Sequence, residues 1–477
     1  MKNNKNTIRS ETRSRLASII GAAVMAATLA SCTTARDYSR PKISIPSSWS
    51  FAGKKDAPKQ PELADWWKSF NDTTLDSLVA KAVDGNLDVA TARSRVEEAR
   101  ASLRQAGGDL YPSASGSTSA KRAKSQAGTA SAFQAGLDAS WEIDLFGANR
   151  RSVEASRFGL NAAEEDLRAT TLTLVGDIAS NYVAARGYQA RQALAAKSAD
   201  IQRDTLQITR DKERLGAGTR LDVANAEGQT YSTEANIPEL ASSYSETVNR
   251  LSVLTGEAPG ALNRIMEKGR GKVPTARLAV KTGVPADLLN ARPDVRMAEY
   301  KLSQAKARKN VAESNRYPSV TLTGSITTSA ADFGDLAKGS SIGWGFGPAI
   351  NVPIFNAGKL KAAADVARAQ QDQAFIVYQA AVLGALEDVE NASVSLTQQR
   401  RRNAKLSASV GSYRQAAELS RTLYREGASE FVNVLTAERS LYSAADGLIQ
   451  SRVALANDFI ALNKALGGSW NGKAASK

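Results

Sequence analysis

The 477-residue sequence contains no histidine and a single cysteine. Histidine is the commonest general base and a frequent zinc ligand, so its absence removes most catalytic and metal-binding arrangements. One cysteine excludes disulfides within the chain and thiolate metal clusters. Since no other nucleophile or metal-ligand spacing stands out, we expect no enzymatic activity, no metal site and no cofactor.

The sequence also lacks any concentrated charged region after its first residues. The net charge is +14, which by itself is compatible with nucleic acid or a membrane surface as a partner. Part of this charge precedes the first apolar run, and the rest is spread along helices. We interpret it as solvated helix faces and expect no nucleic-acid binding.

No apolar run reaches the roughly 20 residues of a membrane-spanning helix. The longest N-terminal run, residues 16–30, follows a basic segment and ends in Leu29-Ala30-Ser31-Cys32, which resembles a bacterial lipobox. In such signals the cysteine becomes the new N-terminus and carries acyl chains such as palmitate. The alternative is ordinary signal cleavage beside a lone thiol.

We therefore predict a lipoprotein signal peptide at 1–31, lipidation of Cys32 and an extended linker at 32–63, rich in proline, serine and lysine. Thr33 and Thr34 follow the cysteine, with no aspartate beside it. By resemblance to lipoprotein sorting signals, this predicts the outer membrane.

Residues 342–358 show strict alternation of apolar and small residues, which indicates a strand with one apolar face: Ile342, Trp344, Phe346, Ile350, Val352, Ile354. Residues 133–145 repeat this alternation with a more acidic second face. Residues 113–131 give a weak strand signal with a basic loop: Lys121, Arg122, Lys124. The pattern fits a membrane barrel strand or an ordinary half-buried strand.

Between the strand regions the apolar period changes to that of helices. Residues 148–215 contain no proline and predict one long helix with heptad spacing: Leu160, Leu167, Leu174, Leu194, Ile201, Ile208, Leu215. Gly216 to Thr219 predict a sharp reversal, with glycine supplying positive φ. A return helix follows, in which Pro238 is expected to cause a kink.

The whole pattern then occurs a second time. Asn356 is expected to cap the second long helix, and the reversal recurs at Gly427. Heptad apolar residues continue on both helices of this copy: Phe375, Val382, Val389, Leu396, Val434, Leu441, Leu448, Leu455, Leu462. We predict repeats at 64–283 and 284–470 and a flexible tail at 471–477.

Each repeat thus contains two strands and a long coiled-coil hairpin. Four strands cannot close a barrel, and an open strand edge is not tolerated in hydrocarbon. We therefore expect several copies of the chain to share one barrel.

Five stretches in order resemble the TolC-like outer-membrane efflux protein family, in its lipoprotein branch with OprM- and NodT-like members: SWEIDLFGANR, LLNARPDVRMAE, RYPSVTLTGS, VPIFNAGKLKAA and NKALGGSW. The resemblance implies a mixed α and transmembrane-β fold, in which a homotrimer forms a twelve-stranded barrel continuous with a periplasmic α-helical tunnel. It implies a passive exit duct of a tripartite efflux or secretion system, with a periplasmic adaptor and an inner-membrane transporter as partners.

The resemblance also assigns roles to the two hairpin turns. The adaptor would dock on the turn residues: Gly216, Gly218, Thr219, Leu221, Gly427, Ser429, Phe431. The alternative is that the glycines only make the turns. The periplasmic gate would lie just beyond the second turn: Val432, Asn433, Thr436, Arg439.

Family members commonly carry aspartates at the gate, where this chain has Asn433 and Thr436. Glu438 or Asp222 is then the candidate for a replacement acidic ring. Arg439 is expected to form an ion pair between hairpins or to belong to a solvated face.

Two other classes of protein fit less of the sequence. A periplasmic adaptor lipoprotein also combines a lipobox with a coiled-coil hairpin, but predicts one hairpin flanked by soluble β modules. A periplasmic enzyme or wall-binding protein has no catalytic residues to support it. The cargo is not indicated by the sequence.

Overall fold

The computed structural model describes residues 65–126, 128–276 and 292–468, together with residues 46 and 49. The predicted signal peptide, Cys32, the C-terminal tail and nearly all of the linker lie outside the described residues. So does the predicted boundary between the repeats. These assignments stay predictions.

Four antiparallel strands form one sheet in sequence order: β1 (Ser113–Ser125), β2 (Gly128–Ile143), β3 (Ser319–Ala330) and β4 (Ile342–Asn351). The prediction of two strands per repeat is confirmed. The basic residues expected in a loop instead lie in β1, because β1 and β2 stay paired up to Ser125 and Gly128.

Strand β4 is shorter than expected. It ends at Asn351, so Val352 and Ile354 do not continue its apolar face. Pro353, which lies between them, has no N–H group to donate to a neighbouring strand. The alternation in sequence therefore continues beyond the strand itself.

The strand register collects the apolar side chains on one face of the sheet. Directly paired residues of antiparallel strands point to the same side, and Leu137 pairs with Ile326, which pairs with Trp344. Trp344 is 74% exposed and Phe346 is 80% exposed. The opposite face carries serine, threonine and glycine, with Asp138 and Glu142 from β2. One bare apolar face and one polar face are typical of membrane barrel strands.

The helices repeat in length as well as in order. The first repeat contains α1 (Thr73–Gly85), α2 (Leu87–Gly108), α3 (Ala148–Arg214), α4 (Arg220–Leu254) and the short α5 (Asn263–Met266). The second contains α6 (Pro293–Ser314), α7 (Lys359–Arg425) and α8 (Phe431–Ala465). Helices α3 and α7 both have 67 residues, and α4 and α8 both have 35. Each long helix is about 100 Å in length at ~1.5 Å per residue.

Heptad packing is visible in the burial of α7. Its buried residues alternate at spacings of four and three: Tyr378, Val382, Ala385, Val389, Ala392, Leu396. Two expectations were wrong. Leu215 lies beyond the end of α3 and is 83% exposed. Asn356 lies three residues before α7, and Gly358, with φ +80°, directly precedes the helix.

The described residues divide into two compact units, and each draws on both repeats. One contains the four strands, within Arg104–Ala155 and Ser303–Gln371. The other contains most of the two helical hairpins; there, Trp66 and Phe70 pack edge-on against Phe459, with ring centroids 6.4 and 5.5 Å apart. No helix in the described part of the chain is long and apolar enough to cross a membrane.

Candidate gate and docking turns at the helical tips

The first hairpin turn, between α3 and α4, is held by its own backbone and cap. Gly216 adopts φ +73°, and the N–H of Ala217 donates to the carbonyl of Lys212 at 2.8 Å. Gly218 does not need positive φ, contrary to expectation. A Cβ at this position would lie 3.3 Å from the nitrogen of Glu213, which is tighter than an ordinary van der Waals contact.

Thr219 caps helix α4 in a reciprocal arrangement with Asp222. The Thr219 hydroxyl oxygen accepts from the Asp222 N–H at 3.1 Å, and the Thr219 N–H donates to the Asp222 carboxylate at 3.1 Å. This is a capping box, which satisfies two N-terminal donors of the helix. Asp222, a candidate acid for a ring at the gate, is thus engaged in capping.

The second turn, between α7 and α8, lacks such a cap. Gly427 adopts φ +80°, and the N–H of Ala428 donates to the carbonyl of Leu423 at 2.8 Å. Glu430 occupies the N-cap position of α8 without a side-chain capping bond. The amide of Asn433 donates to the Ser429 hydroxyl at 3.1 Å. The same backbone reversal is therefore stabilised in another way.

The predicted docking residues differ in accessibility. Gly216, Thr219 and Gly427 are exposed, and Leu221 is 69% exposed. Gly218 and Ser429 are half-buried. Phe431 is the exception, because it is buried within the chain and only 5% exposed.

The predicted gate residues lie exposed on α8. Val432, Thr436 and Arg439 share one side of the helix, at spacings of four and three. Arg439 is exposed and forms no ion pair with any residue that the structure describes, so the ion pair expected between hairpins is not formed within the described part of this one chain.

Phe431 belongs to an apolar cluster that joins the two hairpins. Leu206 of α3 and Ala226 of α4 pack there with Tyr424 of α7 and with Phe431 and Val434 of α8. The rings of Tyr424 and Phe431 have centroids 5.7 Å apart. The cluster removes apolar surface of both hairpins from water near their tips.

A buried carboxylate adds a polar connection beside this cluster. Glu438 of α8 is 7% exposed and accepts from the Arg421 guanidinium at 2.7 Å. The Thr205 hydroxyl lies 3.2 Å from the same carboxylate oxygen, and its single proton is shared between that oxygen and the Ile201 carbonyl at 3.0 Å. Burial raises the pKa of Glu438 above its ordinary value, while the hydrogen bond and charge of Arg421 act in the opposite direction. Glu438 was expected as a possible ring acid, but its carboxylate is occupied between the hairpins instead.

Lys212 and Tyr424 form a second polar connection. The Lys212 ammonium donates to the Tyr424 carbonyl and lies 4.4 Å from the centre of the Tyr424 ring, within cation–π range. The Tyr424 hydroxyl donates to the Thr209 hydroxyl at 3.3 Å. We call the cluster together with the contacts of Glu438 and Lys212 the tip lock.

Sequence analysis missed the tip lock, although one signal for it was present. The pair Arg210 and Glu227 in the first repeat has the same 17-residue separation as Arg421 and Glu438 in the second, and it also forms an ion pair, at 2.6 Å. A recurring opposite-charge pair at both tips marks the positions where two helices of a hairpin face each other. Among the described residues, no group of three or more acidic or cysteine side chains is arranged to hold a metal ion.

The model of the family described as outer membrane efflux protein matches residues 78–257 and 284–468. The chain belongs to this family. Nodulation protein T of Rhizobium leguminosarum bv. trifolii is 33% identical over 93% of this chain and 96% of its own length.

Solved structures show the same fold. The outer-membrane channel OprN matches with a TM-score of 0.84 at 30% identity, over 92% of this chain and 100% of that chain. The open state of the MtrE outer membrane channel of Neisseria gonorrhoeae matches with a TM-score of 0.81 at 28% identity, over 92% and 98%.

Members of this family are trimeric channels that combine a β-barrel with a helical tunnel and act with an adaptor and an inner-membrane pump. The predicted fold class, efflux-channel function and outer-membrane location are therefore confirmed, and the adaptor alternative is not favoured. Efflux channels are a non-enzymatic kind of protein.

Proposed function

We propose that this chain assembles as a homotrimer whose pore is closed at rest by the tip locks and opens when an adaptor engages the turns. In this proposal the chain catalyses no reaction, and Cys32 carries acyl chains in the outer membrane. The inner-membrane transporter supplies the cargo, whose identity the pore residues do not specify.

One observation carries the proposal of a shared barrel. Within the described residues, β1 pairs only with β2 and β4 only with β3, so the sheet has two open edges. Unpaired backbone groups are costly in hydrocarbon. Pairing β1 of one chain with β4 of the next satisfies both edges, and three chains supply twelve strands.

The tip lock supports the proposal of a gate. Its contacts join the first hairpin to the second near the turns, at the end of the hairpins remote from the chain connections to the strands. Moving one hairpin away from the other must expose Phe431 and Val434 and separate Glu438 from Thr205. Closure is thus favoured until another interaction compensates for this loss.

The exposed leucines of the first turn support the proposal of adaptor docking. Leu215 and Leu221 are 83% and 69% exposed, although the turn needs no apolar side chain for its own conformation. Exposed apolar patches often mark protein interaction sites. We place the docking surface on Leu215, Leu221 and the small turn residues, and assign Phe431 to the lock.

Cysteine cross-linking tests the shared barrel. Ser119→Cys in β1 is combined with Gly345→Cys or Gly347→Cys in β4; a Cβ at either glycine meets no atom within 4 Å. The proposal predicts a covalent ladder up to three chains on a non-reducing gel with at least one pair.

The matched control joins neighbouring strands of one chain. Ser119 pairs with Gln134 in the register of β1 and β2, so the Ser119→Cys/Gln134→Cys protein should cross-link without a change in chain number. If the control oxidises and both β1–β4 pairs remain monomeric, the shared barrel is wrong.

A further inference from the structure

Two cations of β1 lie on the apolar face of the sheet, close to the hairpin that joins β1 to β2. Arg122 pairs with Ser131 and Lys124 with Thr129, in the same alternation that places Ala120 opposite Phe133. The cations are exposed, and neither forms an ion pair with a described residue. Lys121, between Ala120 and Arg122 in sequence, belongs to the polar face.

Aromatic side chains fix the depth of these cations relative to the apolar band. Phe133 contacts Phe333 edge-on at 5.8 Å near the hairpin, and Trp141 lies near the other end of β2. The eight residue steps from Phe133 to Trp141 span about 26 Å along the strand at ~3.3 Å per residue, which is about 20 Å of membrane depth at a strand tilt of ~40°. A membrane barrel carries an apolar band about 25 Å tall between aromatic girdles.

Arg122 and Lys124 therefore lie beyond the girdle, by about 7 and 13 Å along the strand. A cation on the lipid face costs about 2–4 kcal/mol at the midplane but only about 0–1 kcal/mol near the interface. Their position thus matches the headgroup layer, where a long cationic side chain meets anionic groups at little desolvation cost.

The chain connections identify which headgroup layer this is. Helices α2 and α3 adjoin the opposite ends of β1 and β2, and the helical part of the family faces the periplasm. The hairpin end is therefore in the outer leaflet, which carries phosphorylated glycolipid. The acidic residues at this end of the sheet, Asp332 and Asp335, lie in the connection between β3 and β4. Asp335 forms an ion pair with Lys338 at 2.6 Å.

We propose that Arg122 and Lys124 bind the phosphate groups of outer-leaflet glycolipid, lipid A, on the outer wall of the barrel. The inference rests on the channel function, since it needs the apolar face to contact lipid. Lys121 is a cation of the same strand on the polar face. A variant at Lys121 therefore distinguishes the effect of losing a positive charge from the effect of losing a cation on the lipid-facing side.

Lipid A binding tests the proposal on the full chain in detergent. The wild type, the R122Q/K124Q variant and the K121Q control are titrated with lipid A in mixed micelles, and native mass spectrometry counts bound lipid per trimer. A cation near an anionic membrane surface contributes about fivefold in affinity. The double variant should therefore bind about 25-fold more weakly, while K121Q should bind like the wild type.

Two further arms identify the ligand. Lipid A without its phosphates should bind the wild type as weakly as intact lipid A binds the double variant. Inorganic phosphate should not displace intact lipid A from the wild type. The proposal is overturned if the affinity for lipid A falls equally in K121Q and in the double variant, or if it is unchanged in the double variant. It is also overturned if inorganic phosphate displaces lipid A. The β1–β4 cysteine cross-linking described above reports separately on the shared barrel, because its failure would refute the barrel whether or not lipid A binds.

Discussion

The two hairpin tips carry the same ion pair at equivalent positions in different surroundings. At the first tip, the side chains of Arg210 and Glu227 are 46% and 36% exposed. At the second, those of Arg421 and Glu438 are 20% and 7% exposed, and Thr205 of the other hairpin also donates to Glu438. An exposed pair contributes little to stability, whereas removal of one partner from a buried pair is costly. The ion pair therefore occurs in both repeats, but only the pair of Arg421 and Glu438 is buried by packing between the hairpins and is expected to contribute to stability.

The helix caps show the complementary difference. Thr219 and Asp222 form a capping box at the first tip, while Glu430 at the second tip makes no side-chain capping bond. The residue after each cap also differs, because Arg220 is exposed and Phe431 is buried. The first turn is stabilised locally and stays free to meet a partner. The second turn is stabilised by contact with the first hairpin.

Truncation of Phe431 should have the largest effect. Phe431→Ala removes a ring from the cluster, and such changes cost about 3–5 kcal/mol when the cavity does not collapse. We expect a clear fall in the temperature at which the helical circular dichroism signal is lost. The control is Arg220→Ala at the equivalent exposed position, with an expected change of less than about 0.5 kcal/mol. Equal effects of the two variants would show that Phe431 is not part of a lock.

Neutralisation of the two glutamates should have an intermediate and unequal effect. Glu438→Gln replaces a charge-assisted hydrogen bond by a neutral one in a buried place, for an expected loss of about 1–2 kcal/mol. Glu227→Gln acts on an exposed pair and should cost less than about 0.5 kcal/mol. Melting of both variants in the same detergent measures the difference. A larger loss in the Glu227 variant would contradict the assignment of the buried pair.

The smallest effect should be the dependence of stability on pH through Glu438. Burial raises the pKa of Glu438, so between its ordinary value of 4.5 and its higher value in the folded chain, the folded state binds more protons than the unfolded state. The stability of the wild type relative to Glu438→Gln should therefore fall as pH rises through this window and be greatest below it. Melting temperatures measured between pH 4 and pH 7 for both proteins decide the sign; a relative stability that grows with pH would be the opposite result.

The sequence predicted the elements that depend on local periodicity. The predicted long helix agrees with α3 except at its last residue, Leu215. The heptad residues Val382, Val389 and Leu396 are buried as predicted, because heptad spacing directly determines which side of a helix is buried. The end of β4 was misjudged, since the alternation in sequence continues through Pro353 after pairing stops.

The tip lock depends on contacts between distant segments, which periodicity does not encode. Thr205 and Glu438 are 233 residues apart, and no sequence pattern near either residue predicts contact with the other. Phe431 follows the turn directly and was therefore grouped with the docking residues. Only the packing of the second hairpin against the first distinguishes it from the exposed Leu221.

Conductance in planar bilayers tests most directly whether the two hairpins lock each other to close the pore. Lys212→Met removes the ammonium that donates to the Tyr424 carbonyl, and Glu438→Gln removes the buried carboxylate charge. The combined variant leaves the apolar cluster in place. We predict that this trimer conducts severalfold more at rest than the wild type, while Glu227→Gln stays at the wild-type level. A folded trimer of the double variant that remains as closed as the wild type would contradict the lock.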